Sequence, residues 1–268
     1  MNKMSLFARR LLGGSVLLAL FALATQAMAE SIPQYATVTF VKGSARYSSD
    51  NKTWHALKKG DVLAPGCLIQ TADKSIVDIL LGDKGASGGG GPSQISTGKP
   101  SASGGGGGGG GGGLKSNIVR IMENSYLGID KLLVENTGTD MMAETQLDLR
   151  AGQIMGNVKK LSASSKYEIK IPNGVAGIRG TTYLISSSGV VEVLSGSVLI
   201  VIVAADGTMN QYVVTAGNSF DPSTGLITPI PPATLSQLQK IYQELHGATP
   251  TPPTTIPKDH TIIYVSPN

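Results

Sequence analysis

The run from Ser164 to Thr181, SSKYEIKIPNGVAGIRGT, restricts the fold more than any other part of the chain. The alternating residues up to Ile171 read as a strand, and Pro172 ends it because proline has no N–H to give a sheet ladder. Gly174, Gly177 and Gly180 permit backbone angles that side chains forbid, and Thr181 opens a second strand, Thr182 to Ile185. The sequence therefore predicts a sharp, repeatedly bent corner between strands, with Arg179 held on it. Its guanidinium carries five donors, enough to staple several buried carbonyls. Recognition of an external carboxylate is the second reading of the same residue.

The rest of the chain is consistent with such a corner. Short β-like runs recur at 36–41, 76–81, 167–171, 190–194 and 212–215, with glycines between them. That spacing indicates an all-β, mainly β fold. A β-solenoid-like or double-layered β fold with one C-terminal amphipathic helix ranks first, and an ordinary sandwich second. Ser197 to Ala204 is apolar almost throughout, so it reads as a central strand covered on both faces.

Two segments depart from the pattern. Residues 83–113 form a Gly/Ser-rich tract ending in ten consecutive glycines, Gly104 to Gly113. So little apolar surface predicts disorder, as an insertion in a β domain spanning residues 30–231. Then Leu235, Leu238, Ile241, Tyr242 and Leu245 recur at helical spacing, which predicts a packing helix within 232–247. Thr234 with Gln237 offers a capping box, and Gly247 a stop. Residues 248–268 read as a Pro/Thr linker and a terminal strand.

Residues 1–29 have the layout of a secretory signal peptide: Lys3, Arg9 and Arg10, an apolar stretch from Leu11 to Ala24, then Ala27-Met28-Ala29. Cleavage there would leave no transmembrane segment and a periplasmic or secreted protein of the bacterial envelope. Those three cations supply most of the net charge of +4, and residues 1–29 contain no acid. The remainder is near neutral, so no basic stripe points to nucleic acid. Cys67, the sole cysteine, cannot form an intrachain disulfide and reads as a small buried hydrophobe.

No catalytic constellation can be assembled, and no cofactor or metal is expected. Polyglycine satisfies a dinucleotide pattern trivially but lacks its βαβ context. His55, His246 and His260 stand singly, without ligand spacing. Trp54, beside the hairpin tip Asp50-Asn51, and Tyr47 on the strand leading to it are the candidate glycan-binding pair. A Trp covering the open end of the core is the plainer reading.

Val175-Ala176-Gly177-Ile178-Arg179-Gly180-Thr181 resembles the central signature of the FecR domain family. Val41-Lys42-Gly43, Gly60-Asp61-Val62-Leu63, Leu147 to Ile154 and Ala216 to Phe220 are similar to other parts of that domain. In the regulators of this family, the resemblance implies, the domain lies in the periplasm. It relays a receptor's state through one membrane helix to a segment controlling a sigma factor. Here the only long hydrophobic run is the leader, so only the sensing or docking half is carried over. The expectation is a non-enzymatic exported module mediating protein-protein contacts in envelope signalling or assembly. Its unidentified envelope partner would meet the surface from Val175 to Thr181. A glycan-binding (polysaccharide) or passive structural envelope protein is the alternative.

Overall fold

The computed structural model describes residues 30–83, 117–136 and 141–246. The leader, the glycine tract from residue 84 onward and the terminal strand lie outside the described residues. The chain begins with β1 (Glu30–Pro33), β2 (Tyr35–Lys42), β3 (Ala45–Ser48), β4 (His55–Ala56) and β5 (Val62–Leu63). It continues through β6 (Leu68–Thr71), β7 (Ile76–Asp83), β8 (Asn117–Ile121), β9 (Tyr126–Asn136) and β10 (Met141–Ala151). Then come β11 (Gln153–Asn157), β12 (Lys166–Ile171), β13 (Gly174–Ile178), β14 (Thr182–Ser186) and β15 (Val191–Ser195). The last elements are β16 (Ser197–Val203), β17 (Met209–Thr215), β18 (Asn218–Asp221), β19 (Leu226–Pro229) and α1 (Pro232–His246).

These strands form two sheets. The first runs β17-β16-β13-β12-β10-β9-β6-β3-β4, with β1 paired to β9; the second runs β19-β18-β15-β14-β11-β8-β7-β2-β5. The fold is mainly β and double-layered; among the described residues neither a closed barrel nor a solenoid is shown. From β12 onward, antiparallel hairpins alternate between the layers: β12–β13, β14–β15, β16–β17, β18–β19. The parallel pair β10–β12 needs a crossover, and β11 in the opposite sheet supplies it. β7 and β8, which flank the glycine tract in sequence, pair directly, Leu81 opposite Asn117.

One core fills the space between the sheets. Ile129, Leu147, Ile169, Ile200 and Val214 from the first layer meet Ile79, Val119, Ile154, Val193 and Phe220 from the second, all fully buried. Each contributes about 1.5–3 kcal/mol by leaving water. Tyr167 and Tyr183 bridge the layers, their hydroxyls 3.3 Å apart, and burial raises both phenol pKa values. Cys67 is buried as well, which pushes its thiol pKa up.

The crossings between layers share one device. At Gly152 the backbone turns through φ +78°, and a Cβ there would sit on the Ser125 hydroxyl. That hydroxyl, on the neighbouring crossing, accepts the Gln153 N–H at 3.0 Å. The corner at Gly43 repeats this with Ser75 accepting Ser44 N–H at 2.8 Å, and the corner at Gly196 with Thr181 accepting Ser197 N–H at 3.3 Å. Ser75, Ser125 and Thr181 are each 1% exposed. Stacked corners are thus stapled by hydroxyls that reach backbone because no side chain intervenes.

The helix lies on the outer face of the second sheet. Leu238 is buried against Met155, Leu184, Leu194 and Ile230, with Leu235, Ile241 and Tyr242 beside it. It starts at Pro232, which suits a first helical position, rather than at a Thr234 cap. Its far end is tied by Arg120, 5% exposed, which donates to both carboxylate oxygens of Asp78 at 2.7 and 2.9 Å and to Glu244 at 2.7 Å. Burial opposes the charge on Arg120, but Asp78 and then Glu244 outweigh it and raise its pKa.

Two outcomes follow for urea unfolding. Arg120→Met alone strands the buried Asp78 carboxylate and should cost about 3–5 kcal/mol, whereas pairing it with Asp78→Leu should restore most of that loss. Glu244→Gln, at a half-exposed partner, should cost less than about 1 kcal/mol.

Candidate functional site

The outer face of the first sheet has no covering element among the described residues, and it divides into two halves. Over β3, β6, β9, β10 and β12 it is charged and largely paired within itself. Arg46 donates to Gln70 at 2.7 and 2.9 Å, Arg150 to Asp148 at 2.6 Å, Lys131 to Glu144 at 2.8 Å and Lys170 to Asp130 at 2.9 Å. The hydrogen bond to Asp148 holds the Arg150 guanidinium above its ordinary pKa. Over β13, β16 and β17 the sequences GVAGI, SVLIVIV and MNQYVVT contain no charged residue. The boundary is sharp: Glu168 stands opposite Gly177, and Lys170 opposite Val175.

The uncharged half is apolar and exposed. Val175 lies level with Val201 and Gln211, Gly177 with Leu199 and Val213, and Val203 with Met209. Val175 is 38% exposed, Leu199 40%, Val203 44%, Val213 54% and Met209 63%. β16 is therefore covered on one face only, contrary to the reading of 197–204 as a strand enclosed on both. Its inner residues Val198, Ile200 and Ile202 meet the core, while Leu199 and Val203 point away from it. Together these residues form one contiguous exposed apolar strip across three strands.

The predicted segment Val175 to Thr181 contributes unevenly to that surface. Val175 and Arg179 are exposed, whereas Ala176, Ile178 and Thr181 point inward and are buried. Arg179 has no hydrogen bond or ion pair among the described residues, so it is not the internal staple that its donors suggested. That role belongs to Thr181, whose hydroxyl donates to Ser197 O at 2.7 Å. Of the three glycines, only Gly180 takes a positive φ, +70°, where the chain changes layer with its Cα side against Lys160. Gly174 is needed for space instead, since a Cβ there would strike Val201 O, and Gly177 lies in ordinary strand.

Tyr47 and Trp54 do not form a pair. Tyr47 packs inward against the core and beside His55, ring centroids 5.5 Å apart. Trp54 lies with Arg46, whose guanidinium sits 4.6 Å over its ring, and with Tyr126 at 6.1 Å. Arg150 in turn lies 5.4 Å over Tyr126. Trp54 is not among the residues packed on the core, and a guanidinium occupies one face of its ring. The tip beside it is held by Asp50, which accepts Lys52 N–H, Thr53 N–H and two hydroxyls, and those bonds lower its pKa. A cleft of about 410 Å³ beside the end of α1 is lined by Phe40, Lys42, Ile76, Asp78, Arg120 and Glu244, and its buried cation, Arg120, is already engaged by the two carboxylates.

Residues 115–199 match the family model described as FecR protein, a span running from β8 into β16 that includes the Gly180 corner. No curated protein matches. Three solved chains do. Among them are two crystal structures of a candidate anti-sigma factor from Parabacteroides distasonis ATCC 8503, each 12% identical over 49% of this chain, with TM-scores of 0.32 and 0.31. The chain spans 57% and 56% of those structures, little more than half their length. Resemblance that loose carries no argument about partner or mechanism. No helix among the described residues is long and apolar enough to cross a membrane.

Two substitutions check this geometry. Gly174→Ala should destabilise by about 1–3 kcal/mol through overpacking against β16, read by thermal unfolding. Since Trp54 is the only tryptophan, Arg46→Ala should change its emission spectrum and cost about 0.5–1 kcal/mol from the lost cation–π contact.

Proposed function

We propose that the chain is an exported, non-enzymatic FecR-domain module that docks a protein partner in envelope signalling or assembly. The observation that carries this reading is the change from an ion-paired to a charge-free outer face between β12 and β13. Charged residues that pair with one another leave nothing for a partner to neutralise, and partners gain little from such a surface. The apolar half is different: covering Val175, Leu199, Val213 and Met209 removes hydrophobic surface from water. Arg179, exposed at the end of β13, supplies a cation at its border and a means of fixing orientation.

The FecR match supports a signalling role, and the leader-like residues 1–29 support a periplasmic or secreted location. The reading extends to the docking half of the family's relay and not to control of a sigma factor. Catalysis has no part in it.

Arg179→Glu and Leu199→Asp test the surface, with Arg150→Gln on the ion-paired half as the control. Each variant is first shown to be folded by circular dichroism, then crosslinked in cells that export it. The two variants on the apolar half should lose a partner that wild type and Arg150→Gln recover. Retention of every partner by folded Arg179→Glu and Leu199→Asp would refute the assignment.

A further inference from the structure

The apolar half of the first sheet ends in a strand that nothing described covers. Among the described residues β17 is the last strand in the sheet order, paired on one side only, with β16. Its register with β16 is unbroken from Met209 to Thr215. Ala204 N–H donates to Thr208 O at 2.8 Å at one end of this hairpin, and Ala216 N–H to Gly196 O at 3.0 Å at the other. Alternation of the antiparallel ladder then fixes the rest. Asn210, Tyr212 and Val214 direct their backbone groups to β16, while Met209, Gln211, Val213 and Thr215 direct theirs to the open edge.

Natural sheets blunt such edges with charges, prolines, bulges or brevity. The other three sheet ends do so. β4 and β5 are two residues long, and β19 carries Pro229 and leads to Pro231 and Pro232. β17 has seven residues with no charge, no proline and no bulge. An uncapped row of donors and acceptors is complementary to an extended strand and to little else.

We infer that this edge joins a second copy of the chain, β17 against β17, making one sheet across two molecules. A foreign strand would find no charge on β17 to select it. A second β17 is selected by its own symmetry. With the two-fold axis at Tyr212, Gln211 stands opposite Val213 of the other copy and Met209 opposite Thr215. All four open-edge residues are then paired, and no like charges face one another. The pairing leaves the outer face uncovered and doubles it, so it is independent of the docking role proposed above.

The experiment is sedimentation of the purified full chain over a concentration series, with Gln211→Pro as the first variant. Proline there deletes an open-edge N–H without removing any bond to β16. Wild type should show a concentration-dependent dimer, and Gln211→Pro should raise the dissociation constant about tenfold or more. Register is read separately, in a Cys67→Ser background. A mixture of Gln211→Cys and Val213→Cys chains should form a disulfide-linked dimer on oxidation, and neither variant should do so alone. A wild-type monomer at every concentration would overturn the inference, as would a dimer unaffected by Gln211→Pro. Slow amide exchange at Gln211 and Val213 in a monomer would also overturn it, by showing the edge covered from within the chain. If Gln211→Pro fails to fold, the cysteine mixture decides, and linkage in the single variants alone refutes the register.

Discussion

The two layers are held in register by hydroxyls lying against glycines. At each stapled corner, φ is positive and the space a Cβ would take is filled by Ser75, by Ser125, or by the Gly180 carbonyl together with Thr181. A single buried hydroxyl accepts the N–H of the residue just after each glycine, where the chain enters the other sheet. Without that partner, each crossing would lose a hydrogen bond worth about 0.5–1.5 kcal/mol. The alternation of hairpins between layers, and so the common core, depends on such crossings being short. Long polar loops would hold the sheets less closely.

The layers are alike inside and different outside. The second sheet carries α1, whose apolar side rests on Met155, Leu184 and Leu194, and whose end is tied through Arg120 to Asp78. The first sheet has no such cover among the described residues, yet β16 and β17 present valine, leucine and methionine there. Half of that face answers the exposure with ion pairs and cation–π stacks, and half does not. The difference between the halves, rather than any cleft, is the observation on which the proposed docking role rests.

Much of this was legible in the sequence, for local reasons. Strand runs, the amphipathic helix and the corner at Gly180 follow from periodicity and turn chemistry, which act over a few residues. What escaped depended on pairing over distance. Arg179 has the donors of a staple, but Thr181, two residues on, is the one facing Ser197. Trp54 meets Tyr126 across the sheet, not the nearby Tyr47. An all-apolar run such as 197–204 says that both faces are hydrophobic and cannot say whether a layer lies over each. One long-range contact did leave a trace: Asp78 between Val77 and Ile79, and Arg120 between Val119 and Ile121, are charges of opposite sign set among apolar neighbours, and they face each other.

Strand order within each sheet also follows chain order closely, from the short strands at one end to β17 and β19 at the other. The molecule is therefore built like masonry laid in courses, each hairpin resting on the one before. In such a wall height is not dictated by closure, as it is in a barrel, but by whatever ends the last course. Prolines and a helix end the second sheet. For the first, the described chain supplies no coping stone, and evolution could lengthen or shorten the stack there by whole hairpins without disturbing the courses beneath.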